Sequence, residues 1–586
     1  MRLRTVLSAL LFALAVTAAH AQTNKPDQAA APAERAKPAT PAPAAQTAAR
    51  ETPPEAKALQ DATRINDGVK KIEALEKFKK DFPNSNSVIT ADFAILSTLA
   101  QKMSGQKPRI KAVAKLIYDG GKDKKEKGSR AGQIADTLVT DNVLLKDAEK
   151  YAKISLAALN QAEYIADQKA QAAKRVATAT GRGGRGGTPP TEADLIKRFQ
   201  ESRAVRLATL GRVELKLGKT AAAQTLLDES YAVNANQPAV TAALGEIAAK
   251  QGNDAKAMDY LVTARLSGRS PASTNLALVT VYSKTHNGSA AGLDALLDAE
   301  YHKRFPNPVK VETYKPTEQR SDRGVLAEVF TGSGCPPCVG ADLAFEAAME
   351  RYARKDLTVV MYHQHVPQPD PMTNPDTQAR SKYYAVTGVP TYAVDGATLK
   401  GNGAGREGTK GIFDKVDSAI AEDLETAAEA RLTVHATANG NTVHVSAAVD
   451  DVKSEAKDLK VHVLLLEKEL TYSGENGIRF HPMVVRAMGG QDDDGFALTA
   501  GATSFDQAWD LDQVSAGLKK HLDEYEATGH RGNAFKFSEK KYQIDRANLA
   551  VAVFVQDVKT RHILQTVYVD LNPASPHIST EANASR

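Results

Sequence analysis

Only two cysteines occur in the 586 residues, and they stand three apart in Cys335-Pro336-Pro337-Cys338. A bridge this short closes almost no loop, so it restricts the unfolded chain very little. Exported proteins that rely on disulfides for stability carry several, spread along the sequence. Two uses remain for the pair, redox chemistry and metal binding.

The residues around the pair alternate strand and helix. Gly324 to Phe330 reads as a buried strand, a short glycine-containing turn leads to Cys335, and 339–352 continue as an amphipathic helix. A second strand follows at 357–362 and a second helical stretch at 376–386. Gly388-Val389-Pro390-Thr391 opens a third strand, and a last helix spans about 410–424.

On these residues, region 322–424 resembles the thioredoxin-like oxidoreductases, particularly the extracytoplasmic CxxC proteins of bacteria. The resemblance covers under a fifth of the chain and rests on strand, CxxC, helix and the later Val389-Pro390-Thr391. It implies that Pro390 is cis and faces the disulfide. Cys335, at the start of a helix where unpaired N–H groups and the dipole favour a thiolate, is expected to be the exposed nucleophile. Cys338, one turn in, is expected to resolve the mixed disulfide. Glu328 is the nearest acid on the preceding strand and the candidate proton acceptor for Cys338. The pattern departs from the family in two places. Gly332-Ser333-Gly334 stands where a tryptophan usually precedes the first cysteine, and Glu328 lies one residue farther from Cys335 than the usual acid. His363 and His365 flank Gln364 and are candidate metal ligands together with the two thiolates. The prolines that follow favour instead a loop with both imidazoles in solvent.

Residues 57–301 carry a helical pattern, with Ile72, Leu75, Phe78 and Phe82 at three- and four-residue spacing. Leu210-Gly211 returns as Leu244-Gly245, Gly218 as Gly252, and Ala221 and Ala223 as Ala255 and Ala257, always 34 residues on. That period resembles the tetratricopeptide family of helix pairs, with two repeats at about 203–268, a weaker one after Asn275 and others within 57–165. An ordinary helical bundle is the alternative. A loop is expected at 176–193, where Gly181 to Gly187 carries two arginines, too few for the long Arg-Gly runs that bind RNA.

The period changes to two after 428. Leu432, Val434 and Ala436 alternate with polar neighbours, as do Val443, Val445 and Ala447, around Asn439-Gly440-Asn441, which reads as a hairpin. Further strands at 461–466, 550–556 and 563–569, with a helical insertion near 515–526, suggest an antiparallel β-sandwich of the immunoglobulin kind over 428–572, before a tail at 573–586.

At the other end, Arg2 and Arg4 precede a short apolar run and Ala19-His20-Ala21. This reads as a signal peptide over 1–21, with a mature start near Gln22. Residues 22–56, rich in Ala and Pro, read as a disordered arm. No later stretch is long and apolar enough to span a bilayer. The net charge of +5 is small for this length and argues neither for nor against a nucleic-acid partner, but residues carrying nucleic-acid-binding signatures are absent and no such partner is expected.

The expected architecture is thus multidomain: α-helical repeats, an α/β thioredoxin-like domain and a C-terminal β-sandwich. The function expected is that of a periplasmic or secreted thiol–disulfide oxidoreductase with no cofactor. It would act on protein clients with thiols or disulfides, be recharged by a redox partner protein, and bind another protein through the helical repeats. The alternatives are a scaffold with an idle thioredoxin-like fold and a Cys/His metallochaperone.

Overall fold

A computed structural model describes residues 53–572, apart from 66, 181–189, 269, 272, 400, 402, 456, 491–493, 501–502 and 531–534. The signal-like residues 1–21, the arm up to residue 52, the glycine–arginine stretch and the tail 573–586 lie outside the described residues.

Among the described residues, thirteen helices run from α1 (Pro54–Thr63) to α13 (Leu293–Arg304). The end of the expected arm is therefore already helical from Pro54. The 34-residue recurrence has a packing cause. Helix α8 (Glu192–Lys216) pairs with α9 (Thr220–Val233), and α10 (Pro238–Lys250) pairs with α11 (Asp254–Leu266). A Cβ on Gly211 of α8 would stand 2.7 Å from Cγ of Leu227 in α9, and one on Gly245 of α10 would stand 2.7 Å from Cγ of Leu261 in α11. Each glycine lets a leucine of the following helix reach the axis of the first. Gly218 and Gly252, at φ +80° and +75°, turn the chain between the two helices of each pair.

The strands after residue 324 form two sheets. In the larger, β1 (Val325–Thr331) lies between β2 (Leu357–His363), which is parallel to it, and β3 (Thr391–Val394), which is antiparallel. Residues such as Val325, Leu326, Val359 and Val360 are buried because helices cover both faces. Strand β3 continues into the two-residue β4 (Ala397–Thr398). Parity along β1 assigns those helices. Thr331 bonds Asp342 of α14 (Val339–Arg351), which packs on α16 (Thr409–Leu424), whereas Glu328, three residues away and so on the other face, bonds Arg380 of α15 (Pro375–Tyr383).

The chain then makes the hairpin β5 (Arg431–Asn439) and β6 (Thr442–Asp450), turning at Gly440 with φ +62°. Next come β7 (Leu459–Thr471), β8 (Phe480–Met488), the short β9 (Phe496–Ala497), β10 (Ser504–Asp510), the inserted α17 (Leu511–Thr528), β11 (Leu549–Asp557) and β12 (Ile563–Asp570). The sequence reading separated these strands from the α/β region, but the structure does not. Strand β8 lies parallel beside β2, in register at Met361 and Val484, and joins both regions in one nine-stranded sheet. Its main order is β12-β11-β7-β8-β2-β1-β3-β4, with β9 on the side of β7. The second sheet, β10-β6-β5, closes over β7 and β11 through a core containing Val443, Val445, Trp509, Val461, Val463 and Val551. The C-terminal part is thus two packed sheets, one of them shared with the α/β region.

Candidate functional site

The β1 strand ends at Thr331, and the loop after it carries Ser333 and Cys335 over the end of the sheet. Cys335 is extended, Pro336 to Cys338 form one 3-10 turn, and Val339 begins α14. Proline suits that turn, where N–H groups lack helical partners in any case. Cys335 and Cys338 form a disulfide with Cα atoms 5.3 Å apart. The Val389–Pro390 peptide is cis, and Cys335 Sγ lies 3.6 Å from the Val389 carbonyl oxygen. A bridged sulfur has no hydrogen to donate there; the reduced thiol has one.

The exposed nucleophile expected from the sequence is not what the structure holds. Cys335 is 1% exposed and Cys338 wholly buried. Segments from outside the motif pack against it, among them residues 403–404, where Ala404 N donates to Pro337 O at 2.8 Å. Gln368 packs on Gly334, whose missing Cβ would stand 2.7 Å from Gln368 Cβ. The loop 473–478, between β7 and β8, lies along the other side. Asn476 N donates to Ser333 O at 2.9 Å, and Asn476 Nδ2 reaches the carbonyls of Gly332 and Cys335, both at 3.4 Å. Ile478 packs on Val339 and Leu343 of α14. That loop is in turn braced by Arg479, which bonds Ser473 Oγ and Asp298 Oδ1 of α13, both at 2.7 Å. What remains at the surface beside the disulfide is Pro336, Pro337, Gly388 and Val366, the last 41% exposed.

Glu328 does not serve Cys338. Its side chain is on the α15 face of the sheet, fully buried, and its two oxygens are spoken for. Oε1 accepts from Arg380 Nε at 2.7 Å and Tyr362 Oη at 3.0 Å, and Oε2 accepts from Tyr384 Oη. The Arg380 guanidinium also lies over the rings of Tyr384 and Phe554. This is a structural ion pair in the core.

A different carboxyl occupies the face that faces α14. Asp342 stands one helical turn after Cys338, on the same side of the helix, and its Oδ1 accepts the Thr331 hydroxyl at 2.7 Å. Burial pushes its pKa up to about 7, against the lowering hydrogen bond from Thr331. Sequence reasoning missed it because it looked upstream of the cysteines. The signal was present, since an aspartate among Val339, Gly340, Ala341, Leu343 and Ala344 is a charge on an otherwise apolar face.

His363 is buried and His365 half-buried, so the two imidazoles do not stand free in solvent. His363 pairs with Thr331 in the β1–β2 register, and its Nδ1 is 2.9 Å from Asp370 Oδ2. Burial tends to raise the Asp370 pKa, but His363 and the N–H groups of Ser333 and Met372 hold it below the usual carboxylate range. Through the 2.6 Å bond from Ser333 N, this same carboxylate anchors the cysteine loop. His481 packs edge-on against His363 and bonds Tyr472 O at 2.9 Å. Burial pulls its pKa down to about 3. His365 points elsewhere, stacked on Tyr525 and His521 of α17, and burial likewise lowers it to about 3. Among the described residues no cluster of three His, Cys, Asp or Glu side chains is arranged to hold a metal ion. None of the helices among them is long and apolar enough to cross a membrane.

No family model matches the chain, and no curated protein matches it. Among solved structures the chain is similar to HBP35 of Porphyromonas gingivalis, at 18% identity and a TM-score of 0.31, over 45% of this chain and 81% of that one. A likeness this slight carries no argument about fold or function.

Proposed function

We propose that the chain is an extracytoplasmic thiol–disulfide oxidoreductase acting on protein clients through Cys335 and Cys338. One observation carries this reading: the disulfide sits at the start of α14 with Cys335 Sγ against the Val389 carbonyl, before the cis Pro390, beneath a surface of Pro336, Pro337 and Val366. That arrangement supports a thioredoxin-like unit, and the matched glycine–leucine contacts at 211/227 and 245/261 support tetratricopeptide-like repeats beside it. The signal-like residues 1–21 support export to the periplasm or beyond.

In the reducing direction, the Cys335 thiolate attacks one sulfur of a client disulfide and releases the other as a thiolate that takes up a proton. Cys338 then loses its proton and attacks Cys335. The client leaves as a dithiol and the chain keeps the disulfide, two electrons having moved to the client. The oxidising direction is the reverse. In this reading Asp342, one helical turn after Cys338 and with its pKa raised to about 7, takes the Cys338 proton, and the helical repeats serve as a docking scaffold for polypeptide.

The burial of Cys335 favours a second reading, in which the disulfide is closed off and idle and the chain works as a scaffold. The two separate in one experiment. Reduced full-length chain, freed of reductant, is mixed with a disulfide-bonded peptide, and the masses of both are followed. The peptide should gain two hydrogens as the chain loses two, and the Cys335→Ser/Cys338→Ser double variant should transfer none. A wild-type rate equal to that of the double variant replaces the first reading by the second.

A further inference from the structure

The loop 473–478 that covers Cys335 is itself held from two sides. Toward the cysteines, Asn476 bonds the carbonyls of Gly332, Ser333 and Cys335, and a Cβ on Gly474 would stand 2.7 Å from Ser333 O. The other side rests on the last helices of the helical region. Gly268, just past α11, has φ +108°, and a Cβ there would stand 2.6 Å from Glu475 O, so the two backbones approach closely. Phe480, which follows the loop, stacks on His302 and meets Tyr301 edge-on, both on α13.

Charge closes this second side. The buried Arg479 guanidinium donates to Asp298 Oδ1 and Ser473 Oγ, both at 2.7 Å, and to Asp294 O at 3.3 Å, with the Asp294 carboxylate 3.6 Å away. Arg265 of α11 reaches the same serine, its Nη1 3.4 Å from Ser473 O, and burial and the nearby Arg479 both lower its pKa. Two guanidinium ions crowded on one residue need anions beside them, and Asp294 and Asp298 supply these. Arg479 is shut in, whereas the side chains of Asp298 and Asp294 are 39% and 93% exposed. A group arriving from solvent therefore meets the anionic half of this contact first, and what competes for that half is a cation.

We propose that Arg479 with Asp294 and Asp298 is a latch that keeps Cys335 covered, and that a cationic polypeptide segment, by taking the two carboxylates, frees the loop 473–478 and uncovers Cys335. The latch residues touch no reacting atom. They act through Asn476 and are positioning residues. The inference rests on the reading of Cys335 as the cysteine that meets clients, and it adds the charge of the group that opens the way.

The test uses full-length chain carrying Cys338→Ser, in which Cys335 is the one thiol, and follows its alkylation by a maleimide bearing a bulky polyethylene glycol chain. Asp294→Ala/Asp298→Ala, both at solvent-facing positions of α13, should raise the rate about three- to tenfold, the factor for losing one partly screened charged hydrogen bond. The helical circular dichroism should stay the same. Oligolysine should accelerate the chain with intact carboxylates to a similar degree and leave the double-alanine chain as it is. Oligoglutamate should accelerate neither, and sodium chloride at the same ionic strength should act more weakly than oligolysine. A rate unchanged by the two alanines overturns the latch. Acceleration by the alanines but not by oligolysine, or equally by salt, keeps the latch and overturns the cationic opener. Should the double-alanine chain lose its helical signal, the oligolysine series on the intact chain decides alone, and no acceleration there overturns the proposal. Electron transfer to a disulfide-bonded peptide is measured in parallel on chains that keep both cysteines. Transfer by neither the latched nor the unlatched chain removes the oxidoreductase reading, while the alkylation rates still decide the latch.

Discussion

The Thr331 hydroxyl, at the end of β1, donates to the Asp342 carboxyl at 2.7 Å, tying the strand that leads into the cysteines to the helix that follows them. Asp342 is buried and its pKa is raised to about 7. The folded chain therefore keeps this proton up to about pH 7, whereas the unfolded chain releases it near 3.8, the ordinary value. Between those limits the folded state binds more protons, so this group makes stability fall as pH rises. Asp342→Asn should flatten that fall, by an amount on the order of a few kcal/mol, read as Tm against pH from 4 to 8. It should also remove an inflection near pH 7 from the resolving step while leaving the first attack by Cys335 alone. A pH profile of resolution identical to wild type would leave Asp342 a purely structural residue.

Glu328 separates the other way. Its removal strands the Arg380 guanidinium in the core, among Tyr362, Tyr384 and the ring faces of Tyr383 and Phe554. Glu328→Ala should cost about 3–5 kcal/mol of stability, measured by denaturant unfolding. Electron transfer per folded molecule should be unchanged. A pH-dependent loss of the resolving step at full stability would return Glu328 to the proton path.

The strand, CxxC turn and helix were legible because they are local. A run buried on both faces reads as a core strand, and the helix carries its own period. The face of Glu328 was not, because its distance from Cys335 does not say at which residue the chain leaves the pleat. That exit comes after Thr331, so Thr331 faces α14 and Glu328 faces α15. The cover over Cys335 was also hidden. Asn476 lies about 140 residues away, in a loop with no periodicity, and it reaches the site only because β8 joins β2. A parallel pairing at one register position leaves no mark in either strand.

The glycine pair gives a packing test. Gly211→Ala and Gly245→Ala each place a methyl 2.7 Å from a leucine Cγ, the branch point rather than the mobile end. Each substitution should destabilise the helical region by about 1–3 kcal/mol, and alike, since the contacts are equivalent. Thermal unfolding of the two variants checks this; unequal losses would show that the two helix pairs are not packed by the same device.

Access to Cys335 depends on the loop held by Asn476. Asn476→Ala removes the two side-chain bonds to Gly332 and Cys335 carbonyls and leaves the backbone bond to Ser333. Weak bonds of 3.4 Å contribute little to overall stability, but they hold the loop that shields the sulfur. The variant should react severalfold faster with a bulky aromatic disulfide reagent after reduction, with Tm within a few degrees of wild type. An unchanged rate would assign the shielding to Gln368 instead.

The division of labour between the cysteines is the sharpest test. Both are buried, so the prediction of the nucleophile rests on position and not on exposure. Cys335 is extended, before the first turn, and its Sγ faces the Val389 carbonyl beside the exposed Pro336 and Pro337. Cys338 is the residue from which α14 starts, shut in the core. A client disulfide arriving over Pro336 and Val366 meets Cys335 first. Cys335→Ser should therefore end attack, because a hydroxyl is not ionised near neutral pH as an activated thiol is. Cys338→Ser should permit attack and block resolution, leaving the client linked to Cys335 as a mixed disulfide. Non-reducing gels of cell-envelope extracts expressing each variant should show reductant-sensitive, high-mass adducts with Cys338→Ser and none with Cys335→Ser. The reverse pattern would make Cys338 the nucleophile and require the core around α14 to open. Adducts with neither variant would mean that the disulfide does not meet clients, as the closed and idle reading holds.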